Sequence, residues 1–307
     1  MGSTQFGNFH LFAVNQPPNS PWHRCALDGI SLSGHRHLAN LGMGSIFPRK
    51  NFVIPRGSKR LTCLIGSIIL AFISILVSLA LLWRTDKKQA AVGRREIQLF
   101  LVGYIIIEIC EIFTVGGIPL EDSVRKGFSA VHIAAITATC WILLLNALVG
   151  YQLLDDGTAA SIGLIGGSAV VLFIGTGYIS LDTAFDWTGH FESSHFGNNR
   201  NIALYVLYQL FPLVCLFLFY VLEAILVLRV LGEIRPMIYL SGAGLLFAIG
   251  QIFQYVISVH ICEGTNGKIN GALFETFFTL LSVIGVWAFW SSITEDDWPL
   301  PPSGNYN

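Results

Sequence analysis

Gly271–Trp290 reads GALFETFFTLLSVIGVWAFW, and SSITEDDWP follows at Ser291–Pro299. The first stretch is apolar almost throughout, with Glu275 its single carboxylate. A helix needs about 20 apolar residues to cross the hydrocarbon of a bilayer. Trp287 and Trp290 sit where such a helix would leave hydrocarbon, the depth at which Trp is enriched. The acidic cap that follows, Glu295, Asp296, Asp297 and Trp298, then lies in water.

Six more runs of spanning length precede it: Leu61–Trp83, Ile97–Ile118, Phe128–Tyr151, Ala159–Ile179, Ile202–Val230 and Met237–Ile261, with the last run beginning near Ile269. The chain is 53% hydrophobic and only 12% charged, against about 25% charged in soluble domains. Uniformly apolar runs of this length are helices rather than barrel strands. The expected fold is therefore all-α, a polytopic bundle of seven transmembrane helices embedded in the lipid bilayer. Residues 1–60 form a tail, 61–293 the seven-helix domain and 294–307 a short acidic tail. The first ten residues lack the basic and apolar regions of a cleaved signal peptide, so the first span serves as an uncleaved anchor. A net charge of -1 gives no basic field for nucleic acid.

Lys and Arg near span ends set orientation. Arg84, Lys87, Lys88, Arg94, Arg95, Arg229 and Arg235 flank one side of the bundle; Arg125, Lys126, Arg200 and Lys268 flank the other. Seven against four places the first loop and the C-tail in the cytosol and the N-tail in the lumen. Arg49, Lys50, Arg56, Lys59 and Arg60 run against this, bringing the lumenal side to nine. The orientation holds only if that segment is atypical.

Glu108 and Glu111 lie in IIIEICEIF, three residues apart and so on one helix face. Ionisable groups inside spans usually face a bundle interior or cavity. One reading is a proton or cation site. The other, which weighs more because interhelical polar contacts are common, is hydrogen bonding to His132, Asn146, Gln209, Gln251, Gln254 or Glu275. In the orientation above, Glu111, His132, Gln209 and Glu275 share the lumenal half. Glu223 either pairs with Arg229 or reaches the interface. Gly163-xxx-Gly167 permits close helix approach, either within the bundle or to a partner's span. His190, Glu192 and His195 lack the further ligand a zinc site requires, and no metal or cofactor is expected.

Catalytic signatures are missing too: there is no G-x-S-x-G, H-E-x-x-H or P-loop, and the last span has no Lys for retinal. No enzymatic role is expected. The alternative class is a seven-helix receptor or proton-coupled transporter using Glu108 and Glu111.

Four stretches carry a resemblance: AAVGRREIQLFLVGYIIIEICEIFTVG (Ala90–Gly116), WILLLNALVGYQLLDDGT (Trp141–Thr158), FIGTGYISLDTAFDWTG (Phe173–Gly189) and NGALFETFFTLLSVIGVWAFWSSITEDDW (Asn270–Trp298). Loop motifs match as well as apolar runs. The chain resembles the fungal chitin synthase export chaperones, seven-span proteins of the endoplasmic reticulum membrane. The resemblance implies a protein that binds a chitin synthase, a membrane glycosyltransferase, and permits its folding and exit, supporting cell-wall chitin synthesis. It implies no chitin-making activity. The polar cluster Glu108, Glu111, His132, Gln209, Gln254 and Glu275 would then be structural or client-binding, and the acidic motif could engage the client or the export-coat machinery. CALDGISLSGHRHLANLG at Cys25–Gly42 is similar to the end of the family's lumenal tail, whereas residues 43–65 read as an insertion. With both Cys25 and Cys262 in the oxidising lumen, a disulfide between them is the expected tether.

Overall fold

The computed structural model describes residues 59–88, 91–114, 122–152, 157–185, 187–188, 202–257 and 271–294. Cys25, Cys262, His190, Glu192, His195, the acidic motif Glu295, Asp296, Asp297 and Trp298, and most of the 43–65 segment lie outside them. Among the described residues there is no strand. Seven helical segments follow the seven apolar runs. They are α1 (Lys59–Lys87), α2 (Arg94–Thr114), α3 (Asp122–Gly150) and α4 (Ala159–Phe185), a composite α5, α6 and α7 (Gly271–Ile293). α5 joins Ile202–Tyr205, a π turn at Val206–Leu210, Phe211–Ile225 and a second π turn at Leu226–Leu231. α6 runs Arg235–Ile252 and ends in a π turn at Phe253–Ile257.

Among the described residues, six helices are long and apolar enough to cross a membrane. α6 is not among them: Ser241, Gln251, Gln254 and three glycines dilute it. Exposed apolar side chains such as Phe72, Trp83, Val171, Ile174 and Phe217 carry no burial penalty here, because hydrocarbon is as apolar as they are.

α3 is the hub. It packs on α2, α4 and α5, while α7 packs on α6 and α1. The apolar window of α3 is 72% buried and that of α4 only 22%, so α4 is peripheral. Small residues bring backbones together: a Cβ at Gly285 of α7 would lie 2.9 Å from the Cβ of Ala243 on α6, and one at Gly103 of α2 would collide with Thr139 of α3.

The first π turn of α5 has a local cause. Pro212 brings no N–H to the helix ladder, and in π register its nitrogen is the one that would meet the Leu207 carbonyl. Thr137 of α3 donates to that carbonyl instead, at 3.0 Å. A freed backbone group at membrane depth is thus satisfied by a neighbouring helix. α5 ends where Gly232 takes the left-handed conformation, φ 67 and ψ 18, which glycine adopts without a steric penalty. Arg235 and Pro236 then open α6.

One end of the bundle is stitched by polar contacts. Trp287 Nε1 donates to Thr85 Oγ1 at 2.9 Å, Trp290 Nε1 to the Val92 carbonyl at 2.9 Å and Lys88 Nζ to the Ser291 carbonyl at 3.2 Å. The Glu96 carboxylate accepts from Gly157 N–H and Ser161 Oγ at 3.3 and 3.2 Å, tying α2 to α4. Tyr151 donates to the Leu222 carbonyl, tying α3 to α5. This end carries Arg84, Lys87, Lys88, Arg94, Arg95, Arg229 and Arg235, and is called the basic end below.

Candidate functional site: carboxyls inside the bundle

Toward the opposite end, α2 presents Tyr104, Glu108 and Glu111 along one face, at the i, i+4 and i+7 positions of a helical stripe. Glu108 is 1% exposed and Tyr104 3%; Glu111 and Glu275 are half-buried. Thr276 of α7 donates to Glu111 Oε1 at 2.5 Å. Gln251 of α6 neighbours the Glu275 carboxyl. Glu108 lies within electrostatic reach of Glu111, Tyr104 and Glu275, and Ser74 of α1 neighbours Tyr104. Three carboxyls from two helices are thereby gathered in one place, edged by hydroxyls and an amide from α1, α6 and α7.

Two features set this cluster apart from ordinary interhelical hydrogen bonding. Ser74 Oγ, Tyr104 OH and Glu108 Oε2 are buried with one another as polar neighbours, Tyr104 lying between the hydroxyl and the carboxyl. And α1 between Arg60 and Arg84, α2 beyond Arg95, α6 beyond Arg235 and the whole of α7 contain no Lys or Arg to balance the carboxyls. Half-buried carboxyls at membrane depth are costly to leave facing lipid.

The other expected members are Gln254, His132 and Gln209. Gln254 is buried on the last turns of α6. His132 on α3 and Gln209 on α5 are half-buried and each makes polar interactions. The carboxyls meet Tyr104 of α2, Gln251 of α6 and Thr276 of α7. Sequence reading missed Ser74 and Tyr104. Tyr104 had a signal, its i, i+4 spacing to Glu108; Ser74 had none beyond a hydroxyl in an apolar run. It also missed Asp182, 2% exposed, which accepts from Thr188 N–H at 2.8 Å and Thr188 Oγ1 at 3.0 Å. Asp182 thus ties Thr188 back to the end of α4.

Gly163 and Gly167 face outward on α4. A Cβ at either position meets nothing within 4 Å, so the pair packs no helix among the described residues. Glu223 is not paired with Arg229: it is 5% exposed, with Oε2 unpartnered. Position i+6 points away from it around the helix.

Seven helical segments among the described residues, apolar outside and with polar groups gathered inside at both ends, define a polytopic helical membrane protein. A family described as chitin synthase export chaperone matches residues 50–304. Among similar curated proteins, the chitin synthase export chaperone of Coccidioides immitis is 32% identical over 230 residues, covering 75% of this chain and 68% of that protein. Those of Emericella nidulans and Cryptococcus neoformans are 29% and 30% identical, covering 74% and 75% of this chain and 67% and 62% of theirs. No solved structure matches. The chain belongs to the chitin synthase export chaperone family.

Proposed function

We propose that this protein binds a chitin synthase in the endoplasmic reticulum membrane, supports its folding and licenses its export, so that its role in chitin synthesis is that of a companion rather than a catalyst. The observation that carries this is the family match over residues 50–304. The architecture is compatible: almost all described mass is membrane helix, leaving client contact to helix faces and loops. Nothing in the comparisons favours the receptor or transporter alternative.

Two surfaces fit a polytopic client. The open Gly163–Gly167 face of peripheral α4 admits close approach of another helix, as small-xxx-small faces do. Half-buried Glu111 and Glu275 offer acceptors to a polar or basic group on a client span. The acidic motif Glu295, Asp296, Asp297 and Trp298 is proposed to face the cytosol and engage the client or export coat.

The test is the location of a tagged chitin synthase in fungal cells with and without this protein. Retention in the endoplasmic reticulum without it, relieved by wild type and not by Gly163→Leu/Gly167→Leu, is the expected outcome. Normal traffic in its absence refutes the reading. Substrate flux across the membrane that Glu111→Gln abolishes, with synthase traffic unaffected, would instead favour the transporter.

A further inference from the structure

Glu223 of α5 is a further buried carboxyl, at the basic end and away from the Glu108 cluster. Its unpartnered Oε2 belongs to a side chain lining a small cavity of ≈ 10 Å³. Besides Glu223 and Asn146 of α3 the wall is apolar: Ile97 of α2, Leu143 of α3, Phe219 of α5, and Val286, Phe289, Trp290 and Ile293 of α7. A space of that size takes about one water-sized group. The Trp290 N–H is already given to the Val92 carbonyl, so its ring system is what it offers the cavity. Gly93, at φ +68, brings the 92–93 backbone against Asn146: a Cβ there would lie 3.0 Å from Asn146 Oδ1. Asn146 thus has the 92–93 backbone on one side and the cavity on the other.

A carboxylate, an amide oxygen and three aromatic rings around a water-sized space are a recognition set for a primary ammonium group. Glu223 can pair with an ammonium as its carboxylate once that cation is bound beside it, Asn146 offers an acceptor and the rings their quadrupoles. Outside, the charge reverses. Lys88 is bonded to the carbonyl of Ser291, the residue after Trp290, and Arg94 lies one turn before Ile97. A cationic peptide would have to pass these basic groups, and a purely anionic ligand would meet Glu223. A zwitterion with its ammonium inward and phosphate outward satisfies both, and the basic end lies at headgroup depth. We propose that this cavity is a headgroup site for an aminophospholipid of the phosphatidylethanolamine class, its ammonium on Glu223 and Asn146 and its phosphate near Lys88 and Arg94.

The full-length protein, purified in detergent, would be offered phosphatidylethanolamine, its N-methyl and N,N-dimethyl derivatives, phosphatidylcholine and phosphatidic acid in equal amounts. Native mass spectrometry would count the lipid retained. Expected is a stepwise fall in retention with each methyl added, reaching roughly tenfold at phosphatidylcholine, the scale of one charge-assisted hydrogen bond. Phosphatidic acid should also be disfavoured, and Glu223→Gln should erase the preference. Equal retention across the methyl series overturns the site without any variant being needed. Preference that survives in folded Glu223→Gln overturns the role of Glu223. If free ethylammonium raises the melting temperature while phosphatidylethanolamine does not, the ligand is a soluble amine and the lipid assignment fails. If none of these probes binds, the cavity holds water and the proposal falls.

Discussion

The bond from Thr276 to Glu111 is a single hydroxyl acting between α7 and α2. Interhelical hydrogen bonds in membranes average about 0.6 kcal/mol and reach about 1.7. Thr276→Val is expected to lower stability by that amount in a detergent or denaturant unfolding titration, and Thr276→Ser to leave it unchanged. Equal stability for wild type and the Val variant would show that the bond is not made in the bilayer. The spacing of Glu108 and Glu111 was readable as a shared face, because helical period alone decides it. Gln251 and Glu275 were among the candidate partners, but that Ser74 and Thr276 complete the cluster was not readable, since it depends on how four helices are rotated about their axes. Glu223 shows the same limit. Arg229 was a partner on paper, six residues away on the same helix, but the burial that isolates Glu223 comes from α3 and α7.

At the level of helices, the α6–α7 seam depends on Gly285 lying against Ala243. Gly285→Val inserts atoms where a Cβ already comes too close, and is expected to cost about 1–3 kcal/mol, read as a lower melting temperature in detergent. Gly163→Leu/Gly167→Leu is expected to leave the melting temperature unchanged, because that face of α4 is open, while client export is lost. A matching loss of thermal stability would mean the pair packs within the fold. All seven helices were legible from apolar length, a requirement set by the membrane rather than by neighbours. The π turns of α5 were not, because the group that stabilises the first, Thr137, sits on another helix. Nor was the outward aim of the glycine pair, since Gly-xxx-Gly records only that an approach is possible.

For the molecule as a whole, the basic end collects Arg84, Lys87, Lys88, Arg94, Arg95, Arg229 and Arg235, and we propose that it faces the cytosol. A glycosylation acceptor placed between residues 189 and 200 is expected to be modified in the endoplasmic reticulum, and one placed at 88–93 to stay unmodified; the reverse pattern inverts the topology. The same orientation puts Cys25 and Cys262 in the lumen. Non-reducing peptide mapping is expected to recover them as one cross-linked pair, and free thiols at both positions would remove the proposed tether.

The stitching of α7 to α1 through Trp287, Trp290 and Lys88 joins the last helix to the first. Chains fold from the N-terminus as they are made, so this closure waits until Gly271–Ile293 has been synthesised. Through most of its own synthesis the protein therefore has Thr85 and the face of α1 around it uncovered. Ser74, Tyr104 and Glu108 wait in the same way for α7 to bring Glu275 and Thr276. A nascent chain in that state is a half-built polytopic protein with polar groups open to lipid, the same predicament as the client we propose it escorts. A truncation ending before Gly271 would hold it there permanently, turning an escort into cargo for quality control.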